Sequence, residues 1–190
     1  MFIERLRSET KSIHQALEKA MIPGIRNAKT PEAYGAILKT FYGYFKAIEN
    51  LLDTQLTNKI VPAYDQRRKA DLIIEDLKAI NQNGALPPLA TELPEISNTH
   101  QALGAMYVLE GSTLGGQVIT KMLMQNLNLA DSTWIKFFSG YGDDTQKMWG
   151  SFIGVLNQYS QDETRHDEMI EAAINTFAKF KTWIEKNQAS

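Results

Sequence analysis

Apolar residues recur at helical spacing along nearly the whole chain, and no stretch shows the strict alternation of a half-buried β-strand. In the first predicted helix, Phe2 to Ala20, Leu6, Ile13 and Leu17 fall on or near one face. Turn signals such as Pro23-Gly24 separate the periodic segments. The pattern therefore predicts an all-α bundle. Its helices are expected over residues 2–20, 30–56, 65–81, 100–127, 132–138 and 143–159, with a seventh that carries Ala173, Phe177, Phe180 and Ile184.

Three short patterns predict where helices begin. Thr30 is a suitable N-cap and Pro31 suits the first helical position. The run from Asn98 to Gln101 resembles a capping box for the fourth helix, and the run from Ser160 to Glu163 resembles a second one for the seventh.

Composition excludes several functional classes. The chain has 190 residues, so we expect a single domain over residues 1–190. It has no cysteine, which excludes disulfides, thiolate nucleophiles and iron–sulfur clusters. A net charge of −2 provides no basic field for nucleic acid, and no apolar run approaches the ~20 residues that cross a bilayer. We expect a cytoplasmic monomer or weak dimer that binds neither nucleic acid nor membrane.

Four glycines interrupt the fourth predicted helix, at Gly104, Gly111, Gly115 and Gly116. Each costs about 1 kcal/mol relative to alanine, so some other interaction must offset them. At 100° per residue the first three fall on one stripe, and the adjacent pair permits a kink. A stripe without Cβ atoms lets another body approach the helix backbone. That body is either a neighbouring helix or a broad flat ligand, and the spacing leaves both open.

The three histidines differ in their surroundings. His14 lies among apolar residues of the first helix, with Glu18 one turn further on. A carboxylate there is able to orient a metal-bound imidazole, although an ordinary polar pair has the same spacing. His100 is expected at a helix start. His166 follows Glu163 at the Glu-x-x-His spacing of di-iron bundles, but such sites need two motifs of this kind, and neither other histidine has one.

Taken together, these features resemble the heme oxygenase family. Residues 10–18 (Thr-Lys-Ser-Ile-His-Gln-Ala-Leu-Glu) are similar to its proximal segment, with His14 in the position of the iron-binding histidine and Glu18 in that of its carboxylate partner. Residues 107–117, from Tyr107 to Gln117, are similar to its distal helix. The Gly-Gly-Gln end of that segment is the most specific part. The other helices follow in the expected order, so the resemblance covers most of the chain.

The resemblance implies that heme b lies between the first helix and a glycine-rich, kinked distal helix. His14 would bind the iron, and Gly111, Gly115 and Gly116 would let backbone approach the porphyrin. Gly111, Ser112 and Gly115 would form the catalytic distal wall, which leaves room for activated oxygen to reach a meso carbon. Arg7 and Lys11, seven and three residues before His14, match basic positions of the animal enzymes and would hold the propionates. Two solvated charges are the alternative.

The sequence departs from the family pattern at two places. The animal enzymes carry a distal aspartate that orders water, and Ser112 occupies that position here. Glu110 does not replace it, because two residues along a helix are a 200° turn. The family also places basic propionate partners on the helix after the distal one, whereas residues 148–153 carry no charge. Heme orientation, and with it the meso carbon that is cut, stays open.

The implied activity is oxidative cleavage of heme to biliverdin, carbon monoxide and ferrous iron. It uses dioxygen and electrons from a separate donor of the ferredoxin or flavodoxin/reductase type. A non-catalytic heme binder or carrier would share the same binding residues, so only turnover distinguishes it. A cofactor-free relative, such as a thiamine-degrading hydrolase, would need a cysteine nucleophile that this chain lacks. The electron donor and the physiological role, bilin supply or iron acquisition, are not determined by the sequence.

Overall fold

The computed structural model describes residues 1–188, and within that range it contains helices and no strand. The all-α class predicted from periodicity is therefore confirmed. We number the α-helices α1 to α7 in chain order: α1 (Phe2–Asn27), α2 (Pro31–Leu52), α3 (Asp71–Ala79), α4 (Thr99–Asn126), α5 (Lys136–Ser139), α6 (Thr145–Tyr159) and α7 (His166–Gln188). Short 3-10 segments occupy Tyr64–Gln66, Gly142–Asp144 and Glu163–Arg165. None of the described helices is both long and apolar enough to cross a membrane.

The central helix is α4, which packs against α1, α2, α5, α6 and α7. Two of its glycines make this packing possible. A Cβ at Gly104 would lie 2.1 Å from the Met169 carbonyl oxygen on α7, and a Cβ at Gly116 would lie 2.1 Å from the Phe138 carbonyl oxygen on α5. Only a residue without a Cβ permits backbones to come this close.

The first helix does not end at Pro23-Gly24 as predicted but continues to Asn27. Proline removes one N–H from the helical ladder, and tertiary contacts satisfy nearby carbonyls instead. The Gln188 side chain donates to the Ala20 carbonyl at 3.1 Å. At the end of α1, the Asn126 side chain donates to the carbonyls of Ile25 and Arg26 at 3.2 and 3.0 Å. Both donors come from distant helices, so the local sequence does not reveal them.

The second helix, predicted over residues 30–56, ends earlier than predicted, and the third, predicted over residues 65–81, begins later. The second helix stops at Leu52, and the third begins only at Asp71. Between them Ala63 adopts a left-handed conformation with φ 54°, and Arg67 is extended with φ −71° and ψ 154°. The side chain of Arg67 is buried against Glu110 on α4, which a solvated helix face would not allow.

The predicted caps have mixed outcomes. Thr30 accepts a hydrogen bond from Ala33 N at 3.2 Å, with Pro31 at the first helical position, as expected. Asn98 caps α4 by accepting a hydrogen bond from Gln101 N. The Gln101 side chain, however, accepts from Ser97 N rather than from Asn98 N, as a capping box would require. The box predicted at Ser160 is wrong, because Asp162 caps the following 3-10 turn through Thr164 N.

The short helix α5 begins at Lys136 and not at Ser132, because a buried carboxylate on α3 fixes its start. Asp76 accepts hydrogen bonds from the backbone N–H groups of Lys136 and Phe137 at 2.8 and 3.0 Å. After α5 the chain turns through Gly140 and Gly142, whose φ values are 61° and 56°. This turn delays the start of α6 to Thr145.

Candidate functional site

A cavity of about 540 Å³ lies between α1 and α4, with further walls from α2, α5, α6 and α7. This volume falls in the range of roughly 300–1,000 Å³ that is typical of cofactor sites. Its wall is mainly apolar, with residues such as Met21, Phe41, Phe45, Leu109, Ile119 and Phe177. Arg7, Glu18 and Arg68 are the charged side chains among the described lining residues, and His14 also lines the cavity. The site therefore suits a large apolar ligand with a few polar contacts.

His14 lies on the α1 side of the cavity and is half-exposed. Its ring stacks on Phe177 with a centroid distance of 5.0 Å. The Nε2 atom is 3.5 Å from Glu18 Oε1, so one ring nitrogen faces the carboxylate that the sequence paired with it. The stacking and the acidic neighbour both restrict the ring, which is what a metal ligand requires.

Gly111 and Gly115 line the cavity from the α4 side. A Cβ at Gly115 would meet nothing within 4 Å, and one at Gly111 would meet only the Trp149 ring at 3.7 Å. The packing of the protein itself therefore does not require glycine at either position. A glycine that faces open space on a cavity wall, at a cost of about 1 kcal/mol in helix propensity, points to a ligand that needs that space.

Gly104 and Gly116 do not face the cavity. Both carry the helix–helix contacts described above, against α7 and α5 respectively. Gly104 shares a stripe with Gly115 but lies eleven residues away, about 16 Å along the axis, so the same stripe meets a different neighbour. Two of the glycines therefore allow close helix packing, and the other two, Gly111 and Gly115, line the cavity. Gly116, expected to contact the cofactor, is placed on the packing face instead.

Ser112 lines the cavity, but protein groups already engage its hydroxyl. Its Oγ donates to the Leu109 carbonyl at 2.6 Å and accepts from Arg68 Nη2 at 2.8 Å. The adjacent Glu110 points away from the cavity. It is buried in an ion pair with Arg67, 2.5 Å between Nη1 and Oε2, and accepts from the Tyr141 hydroxyl at 2.7 Å.

Sequence reasoning missed Arg68. This residue precedes α3 and extends into the cavity, where its guanidinium lies over the rings of Phe137 and Phe45 at 4.4 and 5.1 Å. Burial lowers the pKa of Arg68, and the charges of Glu110, Tyr141 and Glu49 oppose that shift. The run Arg67-Arg68-Lys69 was the available signal. Three consecutive cations are interpreted as a solvent-exposed face unless it is known that Arg67 pairs with Glu110, 43 residues away.

The two predicted propionate partners are placed differently. Arg7 lines the cavity near Tyr107, which is itself 5.7 Å from Trp149 between ring centroids. Burial raises the pKa of Tyr107, while hydrogen bonds to Thr10 and Arg7 act in the opposite direction. Lys11 is exposed and lies outside the wall. The uncharged stretch 148–153 contributes Trp149 to the wall.

The rim of the cavity fits a large flat ligand. Leu114 and Val118, which flank Gly115 on α4, line the cavity and yet are 37% and 65% exposed. Apolar side chains exposed at the edge of an apolar cavity mark a surface that a ligand would cover. The bare backbone at Gly115, the apolar rim and a single histidine on the opposing helix are together consistent with a heme.

The other histidines are engaged elsewhere. His166 packs on Phe2 at 4.5 Å between centroids, and its Nε2 lies 2.8 Å from the Ser160 carbonyl. His100 Nδ1 lies 3.8 Å from Glu168 Oε1, and the His100 ring contacts the ring of Tyr159. Within residues 1–188 no group of three or more histidine, aspartate or glutamate side chains is arranged to hold a metal.

Comparisons with known proteins give a consistent result. The family model for heme oxygenase matches residues 1–186. A heme oxygenase of Xanthomonas campestris pv. campestris is 29% identical over 154 residues, which cover 80% of this chain and 88% of that protein. Among solved structures, the NO- and CO-bound heme oxygenase from Neisseria meningitidis superposes with a TM-score of 0.79 at 23% identity, over 100% of this chain and 92% of the other.

Proposed function

The chain belongs to the heme oxygenase family, and from that premise we propose that heme occupies the cavity between α1 and α4 with His14 as its iron ligand. The observation that carries this assignment is the pairing of one restrained histidine with a facing helix whose backbone is bare at Gly111 and Gly115. The enzyme cleaves heme to biliverdin, carbon monoxide and ferrous iron.

When bound, heme supplies both the iron at which dioxygen is activated and the ring that is opened. The protein's part is to bind and orient it. Glu18 faces one nitrogen of His14 and so helps to fix the direction of the imidazole. The apolar wall excludes bulk water. Gly111 and Gly115 place no side chain of their own on the cavity wall, so at these two positions the porphyrin would approach the backbone of α4.

We place the propionates at the rim near Arg7, with Lys11 as an outer partner. Arg7 is the wall cation on α1, and a carboxylate beside it would gain a charge-assisted hydrogen bond. Lys11 is exposed on the same helix, and its long side chain would reach a group that extends beyond the cavity. Gly116 is not included among the contacts, since it packs against α5.

The remaining parts of the proposal concern partners and location. We propose that electrons come from a separate donor of the ferredoxin or flavodoxin/reductase type. Dioxygen is the co-substrate. We propose a cytoplasmic enzyme, folded as one domain over residues 1–190, that is a monomer or weak dimer.

The test is a hemin titration monitored by absorbance, followed by turnover with a reductant and product analysis. We expect one hemin per chain, loss of the histidine-ligated spectrum in His14→Ala, and a bilin product from the parent protein. His100→Ala is the matched control and should behave as the parent. A parent that binds hemin but yields no bilin with any donor would be a carrier, and a parent that does not bind hemin would refute the proposal.

A further inference from the structure

The cavity contains one cation that comes from neither α1 nor α4. Arg68 enters from the loop before α3, and its Nη2 donates to the Leu109 carbonyl at 2.7 Å and to Ser112 Oγ at 2.8 Å. These two acceptors lie on the turn of α4 that also carries Gly111. The guanidinium is thus attached to α4 at Leu109 and Ser112, on the wall of the cavity.

Arg68 has donor capacity that the protein does not use. A guanidinium carries five N–H donors, of which those on Nη2 are engaged here. Within the described residues neither Nη1 nor Nε has a hydrogen-bond acceptor, and Nε is buried. Burial of a cation without a full set of partners is costly, so its retention on a ligand cavity indicates a role toward what the cavity holds.

Hydrogen bonds on both sides hold the loop in place. The backbone N–H of Arg68 donates to the Tyr141 hydroxyl at 2.9 Å, and that hydroxyl donates to Glu110. Arg67 is fixed by its buried ion pair with Glu110. On the other side, Ala70 N donates to Glu49 Oε1 at 2.7 Å. With these neighbours anchored, Arg68 is held at the cavity wall before any ligand arrives, which is the arrangement that stabilises charge most effectively.

We propose that Arg68 is the group on the α4 side that hydrogen-bonds an anionic or oxygen-bearing ligand of the heme iron, and that Ser112 mainly holds Arg68 in position. This inference rests on the proposed placement of heme. Arginine is suited to the task because it donates hydrogen bonds to a negatively charged atom but keeps its own protons. A protonated carboxylic acid in the same place would also be able to give up a proton.

The test uses the ferric heme–protein complex with fluoride as the probe. Arg68→Met keeps a long side chain able to contact Phe45 and Phe137 but removes the charge, and Lys69→Met removes the adjacent charge outside the cavity. We expect Arg68→Met to weaken fluoride binding about tenfold or more, since charge-assisted hydrogen bonds are the stronger class. Lys69→Met should stay within about twofold of the parent.

A second readout uses carbon monoxide on the ferrous complex. A positive charge near the ligand draws electron density into the C–O antibonding orbital, so the C–O stretching frequency should rise in Arg68→Met and be unchanged in Lys69→Met. Arg68→Lys keeps the charge but lacks the planar guanidinium with its several N–H donors. This variant should lie between the parent and Arg68→Met in both measurements. It also provides a test if the methionine variant does not fold.

The outcomes separate the two proposals. If the parent binds hemin, and the Arg68 variants that fold match the parent in fluoride affinity and C–O frequency, this inference is refuted while the proposed function stands. If the parent does not bind hemin, the proposed function fails and this inference fails with it.

Discussion

At the scale of single residues, the hydroxyl of Ser112 has its donor and one acceptor position satisfied by Leu109 and Arg68. A serine in this state contributes to the cavity mostly through its neighbour. The sequence resemblance directs attention to Ser112 itself, whereas the geometry directs it to the arginine that Ser112 contacts.

Ser112→Ala should therefore slow biliverdin formation by no more than about tenfold and leave the product unchanged. The change removes one hydrogen bond to Arg68, with a net value of about 1 kcal/mol or about fivefold in rate, while the bond from Arg68 to Leu109 remains. Single-turnover kinetics with product analysis measures the effect. Loss of biliverdin altogether would show that the serine itself organises the distal side.

Ser112→Asp should be tolerated, because the new carboxylate would lie beside Arg68 and pair with it. The pair would cancel much of the positive charge on the wall. We therefore expect this variant to bind fluoride more weakly than the parent while retaining heme. Fluoride binding as tight as in the parent would indicate that the aspartate points elsewhere.

His14→Ala should leave the fold largely intact, because the side chain is half-exposed and its main contact is one stacked ring. Heme affinity should fall, and turnover should stop unless imidazole is added to replace the missing ligand. His166→Ala and His100→Ala are the controls. Turnover at the parent rate by His14→Ala, together with a loss in either control, would transfer the ligand role to another histidine.

At the scale of one element, α4 carries glycines for two unrelated reasons. Gly115 faces open cavity, whereas Gly116, the next residue, lies against the backbone of α5. Neighbours along a helix differ by 100° in direction, so adjacent glycines are able to serve different surfaces. This adjacent pair provides a matched experiment on the same helix.

Gly115→Ala should retain or slightly increase thermal stability, by up to about 1 kcal/mol from helix propensity, and should weaken hemin binding. Gly115→Leu should weaken it much further, since the longer side chain fills the space next to α4. Gly116→Ala should instead destabilise the protein by several kcal/mol, because its methyl group would overlap the Phe138 carbonyl. Thermal denaturation of the heme-free variants and hemin titration separate the two effects. A reversed pattern would contradict the assignment.

At the scale of the whole molecule, two buried carboxylates hold in place two segments that line the cavity, the loop that carries Arg68 and the helix α5. Glu49 on α2 accepts from Ala70 N beside the Arg68 loop, and Asp76 on α3 fixes the start of α5. Burial raises the pKa of each to about 7, and the backbone donors that they accept from oppose the shift. The folded protein therefore binds more protons than the unfolded chain between about pH 4 and pH 7.

It follows that the free energy of unfolding should fall as the pH rises from about 5 to 8, by at most a few kcal/mol, since one pKa unit corresponds to about 1.4 kcal/mol. Glu49→Gln removes one titratable group but keeps an oxygen that accepts from Ala70 N. The new amide nitrogen takes the place of Oε2, which has no hydrogen-bond partner among the described residues. Its stability should depend less on pH. Urea unfolding of both proteins at pH 5, 6, 7 and 8 measures this, and parallel curves would contradict it.

Local patterns in the sequence predicted the helical class, the approximate positions of most helices and the two segments that meet at the cavity. These depend on local periodicity and on short motifs such as the run from His14 to Glu18, whose meaning lies within one or two helical turns. The same local rules failed at the ends of the helices. Continuation of α1 past Pro23 and the late start of α3 both depend on contacts from far along the chain.

The packing of the helices, by contrast, determines which glycines face the cavity, which glycines contact another helix, and that Arg68 lies on the cavity wall. Helical periodicity gives a residue's direction around its own axis but not which neighbour lies in that direction, so Gly115 and Gly116 look alike in the sequence. Likewise, three consecutive cations look like solvated surface. Arg67 is buried and Arg68 is partly buried only because Glu110, Ser112 and Leu109 of α4 lie within hydrogen-bonding distance of them.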